Sequence, residues 1–361
     1  MTAAARMEKV AIAPDGGALA KSSAQPLLIV RNLRKYFPVK GGLLNRSVAQ
    51  VKAVDGVSFQ VMAGEVLGIV GESGCGKSTT ARLLMHLLTP DEGEVIFDGL
   101  GLGARDGMTV KELRRNAQMV FQDSYASLNP RLPVEDTIAF GPMVHGLPRA
   151  EAKQRARGLL EDVGLAPERF GRRYPHELSG GQRQRINIAR ALALQPRLVF
   201  LDEAVSALDK SVEAQVLNLL VDLKEEFNLT YVFISHDLNV VHYISDRVLV
   251  MYLGKVVEVG PVGSVYSRPA HPYTRALLSS QPSMDPDRRK TEPPLSGDPP
   301  TPINPPSGCR FRTRCAFAEE ICGRVEPPLL GFGDAGAHQS ACHMNSAGSG
   351  HSLAAPAGTA A

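Results

Sequence analysis

The sequence predicts an α/β fold: a largely parallel sheet covered by helices, with a helical subdomain inserted into it and a small cysteine-containing extension after it. Three observations carry this. Short apolar runs at Val66–Val70, Arg197–Asp202 and Leu229–Ile234 read as buried strands. Segments with helical apolar spacing alternate with them. Lys77–Leu88 places Leu83, Leu84, Leu87 and Leu88 on one face, and a helix over about Ser211–Phe227 separates the last two strands. A β-α-β order of this kind implies parallel pairing with helices on the sheet faces. Residues 134–195 break the alternation: they hold helical segments such as Arg149–Val163 and no convincing strand, so about 124–195 reads as the inserted subdomain.

Composition narrows the function classes. Forty Lys and Arg against 37 Asp and Glu leave a formal charge of +3, too small to mark a nucleic-acid binder or a partner of strongly acidic surfaces. Trp is absent and aromatics make up 6%, which argues against a base-stacking platform. No apolar run approaches the roughly 18 residues of a membrane span. Arg6, Glu8, Lys9, Asp15 and Lys21 interrupt any signal-peptide core, so the chain is expected in the cytoplasm. Residues 1–26 and 346–361 read as disordered tails, 27–268 as the main domain and 269–345 as a C-terminal extension. A short helix is expected from His271-Pro-Tyr-Thr274 to about Ser280, then an extended Pro-rich stretch over Pro282–Pro306. There is no internal repeat.

Gly71-Glu-Ser-Gly-Cys-Gly-Lys-Ser78 fits G-x-x-x-x-G-K-[ST], directly after a strand and opening a helix. Glycines there let backbone N–H groups converge on phosphate oxygens, and the helix N-terminus adds favourable partial charge. Lys77 is placed to reach the β- and γ-phosphates and the Ser78 hydroxyl to ligate Mg²⁺. Asp202-Glu203 ends an apolar strand, where one carboxylate serves a metal and its neighbour polarises water. We assign Asp202 to Mg²⁺ and Glu203 to general-base work. Leu178-Ser-Gly-Gly-Gln182 opens a helix over Gln182–Leu194, with Ser179 as N-cap and bare N–H groups at Gly180 and Gly181. One ATP needs one cradle, so this second anion site suits a nucleotide held by another chain.

In this order, the three motifs resemble those of ABC ATPase cassettes, P-loop NTPases with a RecA-like core. Further matches are Val120-Phe-Gln122 to the Q-loop, Ser206-Ala-Leu-Asp209 to the D-loop, and Ser235-His236-Asp237 to the H-loop. Tyr36 sits where the family's adenine-stacking aromatic lies. Within the family the chain is similar to the oligopeptide/dipeptide import ATPases, of the "F" type, over about residues 27–345. Phe121–Arg131, Tyr174–Arg185, His271–Thr274 and Gly308–Cys315 carry that similarity.

The resemblance implies two ATPase subunits, paralogues of each other, that sandwich two ATP molecules head to tail. It implies that Gly71, Ser73, Gly74, Cys75, Gly76, Lys77, Ser78 and Thr79 bind one nucleotide. Ser179, Gly180, Gly181 and Gln182 touch the partner's. Gln122 ligates Mg²⁺ and senses the γ-phosphate, and His236 holds the γ-phosphate and positions water. It further implies two transmembrane permease subunits, an extracytoplasmic solute-binding protein, no nucleic acid, and a peripheral position on the cytoplasmic face of the inner membrane. Gln122–Asn129 would dock on the permease. Two positions depart from the family: Ala204 and Ser124 stand where proline is usual. Neutral drift is the expected reading of both departures; the alternative is that, with Ala204 in place of that proline, Glu203 is less rigidly held and turnover lower.

Cys75 stands alone, whereas Cys309, Cys315, Cys322 and Cys342 cluster at gaps too long for the usual short zinc pairs. A [4Fe–4S] cluster tolerates more varied spacing. Zinc and plain thiols remain open on the residues alone; the resemblance to the importers' C-terminal extension implies the cluster. Arg310, Arg312, Arg314 and Arg324 would offset thiolate charge under either metal. His338 and His343 could substitute as ligands but are expected to face solvent, and Cys75 is expected to be alkylation-sensitive. Import of another solute, such as a nickel chelate or glutathione, is one competing function, and export another. A soluble ATPase acting on nucleic acid or ribosomes is disfavoured, because neither a second cassette nor a long coiled-coil insertion is present.

Overall fold

The structure, a computed structural model, describes residues 25–41, 46–280, 300–332 and 337–354. The chain divides into two compact units, one comprising residues up to Leu28 with Gln60–Val66 and Ile96–Phe233, the other Ile29–Phe59, Leu67–Val95 and Ile234 onward.

In the first unit the strands Thr230–Ile234, Leu198–Asp202 and Ala117–Val120 lie side by side in that order. The last two run parallel, with Ala117 opposite Leu198 and Val120 opposite Leu201. Every residue of Leu198–Asp202 and of Thr230–Ile234 is buried, which is why these strands are continuous apolar runs rather than alternating ones. Helices Val134–Val144, Arg149–Asp162, Pro167–Phe170 and Gly180–Leu192 follow one another with no strand among them. They close over Ile138, Leu159, Leu160 and Ile186, all at most 1% exposed. Burying each such side chain stabilises the unit by roughly 1.5–3 kcal/mol. Helix Lys210–Phe227 stops at Asn228, whose left-handed φ of 51° lets its N–H bond back to Lys224 O.

In the second unit the strand order is Leu330–Gly331, Gln339–Ser340, Lys255–Pro261, Arg247–Tyr252, Val66–Val70. Arg247–Tyr252 pairs in parallel with Val66–Val70 and as a tight hairpin with Lys255–Pro261. A second sheet sets Pro26–Gly41 between Arg46–Met62 and Glu92–Phe97. Helix Pro272–Ser279 is capped by His271, whose Nδ1 accepts from Tyr273 N at 3.1 Å. Burial holds the His271 pKa down at about 4, which keeps that nitrogen free to accept.

Two expectations are corrected. The helix expected over Lys77–Leu88 ends at Leu84, because His86 takes a left-handed φ of 50°. His86 N then bonds Leu83 O at 2.9 Å and Leu87 N bonds Arg82 O at 2.8 Å, a Schellman closure. Residues 346–354, expected within a disordered tail, are folded against the extension. Ser346 and His351 are 6% and 5% exposed, and His351 Nε2 lies 2.9 Å from Phe317 O. The N-terminal tail and most of the Pro-rich stretch fall outside the described residues. Among the described residues no helix is long and apolar enough to cross a membrane.

Candidate nucleotide-binding site

The strand Val66–Val70 feeds directly into the glycine loop, and helix Lys77–Leu84 starts inside it. Gly76 is the N-cap, at φ 108°, and a Cβ there would lie 2.2 Å from Ala53 O. Only glycine fits both the dihedral and the space. Lys77 is 5% exposed, and its Nζ donates to Gly71 O at 2.7 Å and Glu72 O at 3.1 Å. The ammonium is thereby held over the loop from which it is expected to reach phosphate. Ser73 and Gly74 are exposed, and Ser78 and Thr79 half-buried. Cys75, expected to be alkylation-sensitive, is 3% exposed, and burial pushes its thiol pKa up. Since the thiolate is the reactive species, that expectation is overturned.

Five residues whose part here sequence reasoning missed, Glu72, Tyr273, Arg314, Asp55 and Arg310, surround this loop and Tyr36. Glu72 N donates to Tyr273 Oη at 2.8 Å, and the Glu72 carboxylate takes both arms of Arg314 at 2.8 and 3.0 Å. Asp55 accepts from Tyr36 Oη at 2.5 Å and is paired with Arg310. Burial, helped by the Asp55 carboxylate, raises the Tyr36 pKa to about 12, so the phenol keeps its proton. Lys52 Nζ lies 5.6 Å from the centre of the Tyr36 ring. His236 is exposed at the turn between buried Ser235 and Asp237, whose carboxylate caps helix Leu238–Ile244.

In the first unit Asp202, 2% exposed, ends its strand, and Glu203 turns through a left-handed φ of 48°. Gln122 Nε2 donates to Glu203 Oε2 at 2.8 Å, joining the Q-loop residue to the carboxylate assigned as base. Ser206 Oγ and N bond Glu203 O at 3.0 and 3.2 Å and lock the turn. A proline at 204 would push Glu203 toward extended backbone, and buried Ala204 makes no such demand.

Ser179 and Gln182 form a reciprocal capping box, at 3.3 and 3.0 Å. The helix therefore begins at Gly180 rather than at Gln182, and runs to Leu192. Asp209 is exposed at the N-cap of helix Lys210–Phe227. Asn187 Nδ2 donates to Ser124 O at 3.0 Å, and the Arg183 guanidinium lies 5.5 Å from the Tyr125 ring centre. The loop after Gln122 is thus tied to the helix that carries Ser179.

Cys309, Cys315, Cys322 and Cys342 line one small pocket with His343 and His351. All four are free thiols. Burial pushes Cys309 up to about 12 and Cys342 to about 11, and in both the neighbouring thiols add to the shift. Among the described residues no group of three or more His, Cys, Asp or Glu side chains is arranged to hold a metal ion. The arginines expected to offset thiolate charge are engaged elsewhere. Arg310 is on Asp55 and Leu253 O, Arg312 on Ser307 O, Arg314 on Glu72, and Arg324 on Glu320. His338 and His343, expected in solvent, are 7% and 4% exposed. Their partners are Glu258 Oε1 at 2.6 Å and Val325 O at 2.9 Å.

A strand–glycine loop–helix cradle, an acidic pair ending a buried strand and a second capped glycine terminus define an ATPase of the P-loop class. The ABC transporter family profile matches residues 54–206, and that of the oligopeptide/dipeptide transporter C-terminal region matches 257–322. The oligopeptide transport ATP-binding protein AppF of Bacillus subtilis is 50% identical over 333 residues, 90% of this chain and 99% of that protein. A probable peptide ABC transporter ATP-binding protein, y4tS of Sinorhizobium fredii, is 50% identical over 320 residues, 88% of this chain and 90% of that one. A solved dimeric post-hydrolysis state of the ATP-binding cassette MJ0796, bound to ADP and Pi, superposes with a TM-score of 0.55. It is 30% identical and covers 65% of this chain and 98% of that one. The chain belongs to the ATP-binding proteins of ABC transporters, and it is an ATPase.

Proposed function

We propose that this chain powers the import of di- and oligopeptides, as one of two paralogous ATPase subunits beneath two permease subunits fed by an extracytoplasmic binding protein. It would act as a peripheral subunit at the cytoplasmic face of the inner membrane. The observation that carries the solute class is the C-terminal segment matching the oligopeptide/dipeptide transporter region, joined to an ATPase cassette. Residues 27–268 serve as the ATPase domain, with about 124–195 as its helical subdomain, and 269–345 as the extension.

In this reading Gly71–Ser78 and Thr79 cradle the triphosphate and Tyr36 stacks on adenine. The oxygen donors of Ser78, Gln122 and Asp202 suit Mg²⁺, a hard cation. Mg²⁺, when bound, offsets charge on the β- and γ-phosphates. Glu203 takes the proton of the attacking water while His236 orients it. Ser179, Gly180, Gly181 and Gln182 close on the partner's nucleotide, with Asp209 at the shared boundary. Loop 122–129 and the exposed side chains Tyr125, Phe140 and Val144 meet the permease. Because that loop is bonded to the Ser179 helix, a change at the γ-phosphate reaches the permease contact. In vesicles bearing the assembled transporter, labelled peptide is expected to stimulate ATP hydrolysis and to move toward the side that holds the ATPase subunits. Stimulation by glutathione or a nickel chelate instead would reassign the solute, and ATP-driven movement the other way would make it an exporter.

Cys309, Cys315, Cys322 and Cys342 are proposed to hold a [4Fe–4S] cluster, with zinc as the alternative. What supports a shared group is one small pocket lined by all four thiols, and the varied spacing of the cysteines in sequence suits a cluster better than the usual short zinc pairs. The group would staple a segment too Pro-rich to fold alone. Anaerobic purification is expected to yield about four irons per chain with a broad visible absorbance; zinc, or no metal, would retire the cluster.

A further inference from the structure

We infer that Arg314, from the C-terminal extension, is a positioning residue for the nucleotide: it neutralises Glu72 inside the phosphate loop and holds that carboxylate off the incoming triphosphate. The inference rests on reading Gly71–Ser78 as the phosphate cradle. It assigns to the extension a part in ATP binding, beyond marking a transporter subclass.

Glu72 is an awkward residue for its place. It follows the first glycine of a loop built to collect phosphate oxygens, and an unpaired carboxylate there repels a highly charged anion. Arg314 meets it with a two-armed pair at 2.8 and 3.0 Å. The Arg314 side chain is 5% exposed and that of Glu72 24%, so the pair is shielded from solvent screening on the Arg314 side. A lysine, a point charge, would not hold both carboxylate oxygens in the same way.

The backbone of Glu72 is fixed as well. Its N–H is tied to Tyr273 Oη, also from the extension, and its carbonyl takes Lys77 Nζ at 3.1 Å. The carboxylate orientation and the position of the cradle lysine are therefore coupled through one residue. Four residues before Arg314, Arg310 anchors the same loop to Asp55 and Leu253 O, so Arg314 arrives on a fixed support. Tyr252 Oη at 3.5 Å and the Tyr252 ring, 6.0 Å away, complete the surroundings of its guanidinium.

The test is equilibrium binding of a fluorescent ATP analogue, with Mg²⁺, to the purified full chain. Arg314→Ala is expected to weaken binding by about tenfold. Glu72→Gln, which removes the carboxylate, is expected to tighten it. The double variant Arg314→Ala with Glu72→Gln is expected to recover most of the loss, and Arg314→Lys to lie between parent and alanine. A merely structural role for Arg314 would leave the double variant as weak as the single one, and that result overturns the inference. So would parental affinity in Arg314→Ala, or weaker binding in Glu72→Gln. If Arg314→Ala does not fold, Glu72→Gln decides alone. A parent chain that binds no ATP would instead sink the reading of Gly71–Ser78 as the cradle.

Discussion

Glu203→Gln is expected to slow ATP hydrolysis by the assembled transporter about 10²–10⁴-fold while leaving ATP binding intact. Gln122 Nε2 donates to Glu203 Oε2 at 2.8 Å, and a glutamine at 203 still offers an amide oxygen to that donor. The left-handed turn at 203 is held by Ser206 through the backbone carbonyl, which the substitution does not touch. What disappears is the basicity of the side chain, and with it about 3–5 kcal/mol of barrier lowering. Single-turnover hydrolysis measured beside nucleotide binding separates the two effects. Hydrolysis within tenfold of the parent would take the base role away from Glu203. A parallel loss of binding would mean that the carboxylate mainly shapes the site.

Much of this site can be read from the residues alone because its signals are local. The run Val66–Val70 is buried at every position, as a continuous apolar segment before a glycine loop should be. Ser179 and Gln182 lie three residues apart and cap the same helix end, so their spacing carries the geometry. The features that escaped are those whose partners are remote in the chain. Arg314 meets Glu72 across 242 residues and Arg310 meets Asp55 across 255, and nothing in an Arg-rich stretch beside cysteines names those carboxylates. The same holds for His338 and His343, polar residues in a small-residue context that become buried only because Glu258 and Val325 O come to them. The early end of helix Lys77–Leu84 escaped for a different reason. Its closing left-handed residue is His86, where glycine or asparagine is the usual signal. The long strand Pro26–Gly41 carries no clean period-two pattern, and Arg46–Met62 alternates only over Val57–Val61, so both went unnamed.

A pair of alanine substitutions in the phosphate loop is expected to split sharply, although both replace a glycine of the same motif. Gly74 has φ 78° and nothing within 4 Å of where a Cβ would sit. Gly74→Ala therefore meets only the left-handed backbone penalty, about 1–2 kcal/mol, and is expected to bind ATP within about tenfold of the parent. Gly76 has φ 108°, outside the small left-handed region open to alanine, and its Cβ would stand 2.2 Å from the Ala53 carbonyl oxygen. That obstacle is backbone of the strand Arg46–Met62, so no side-chain rotation relieves it. Relief requires moving either the strand or the first turn of helix Lys77–Leu84, and Lys77 is the next residue. Gly76→Ala is expected to lose measurable ATP binding and to unfold at lower urea, with a destabilisation above about 3 kcal/mol. Binding and urea titrations on the two variants side by side make the comparison. Equal behaviour would show that the loop tolerates a side chain at its helix start, and that the cradle geometry derived from Gly76 is wrong.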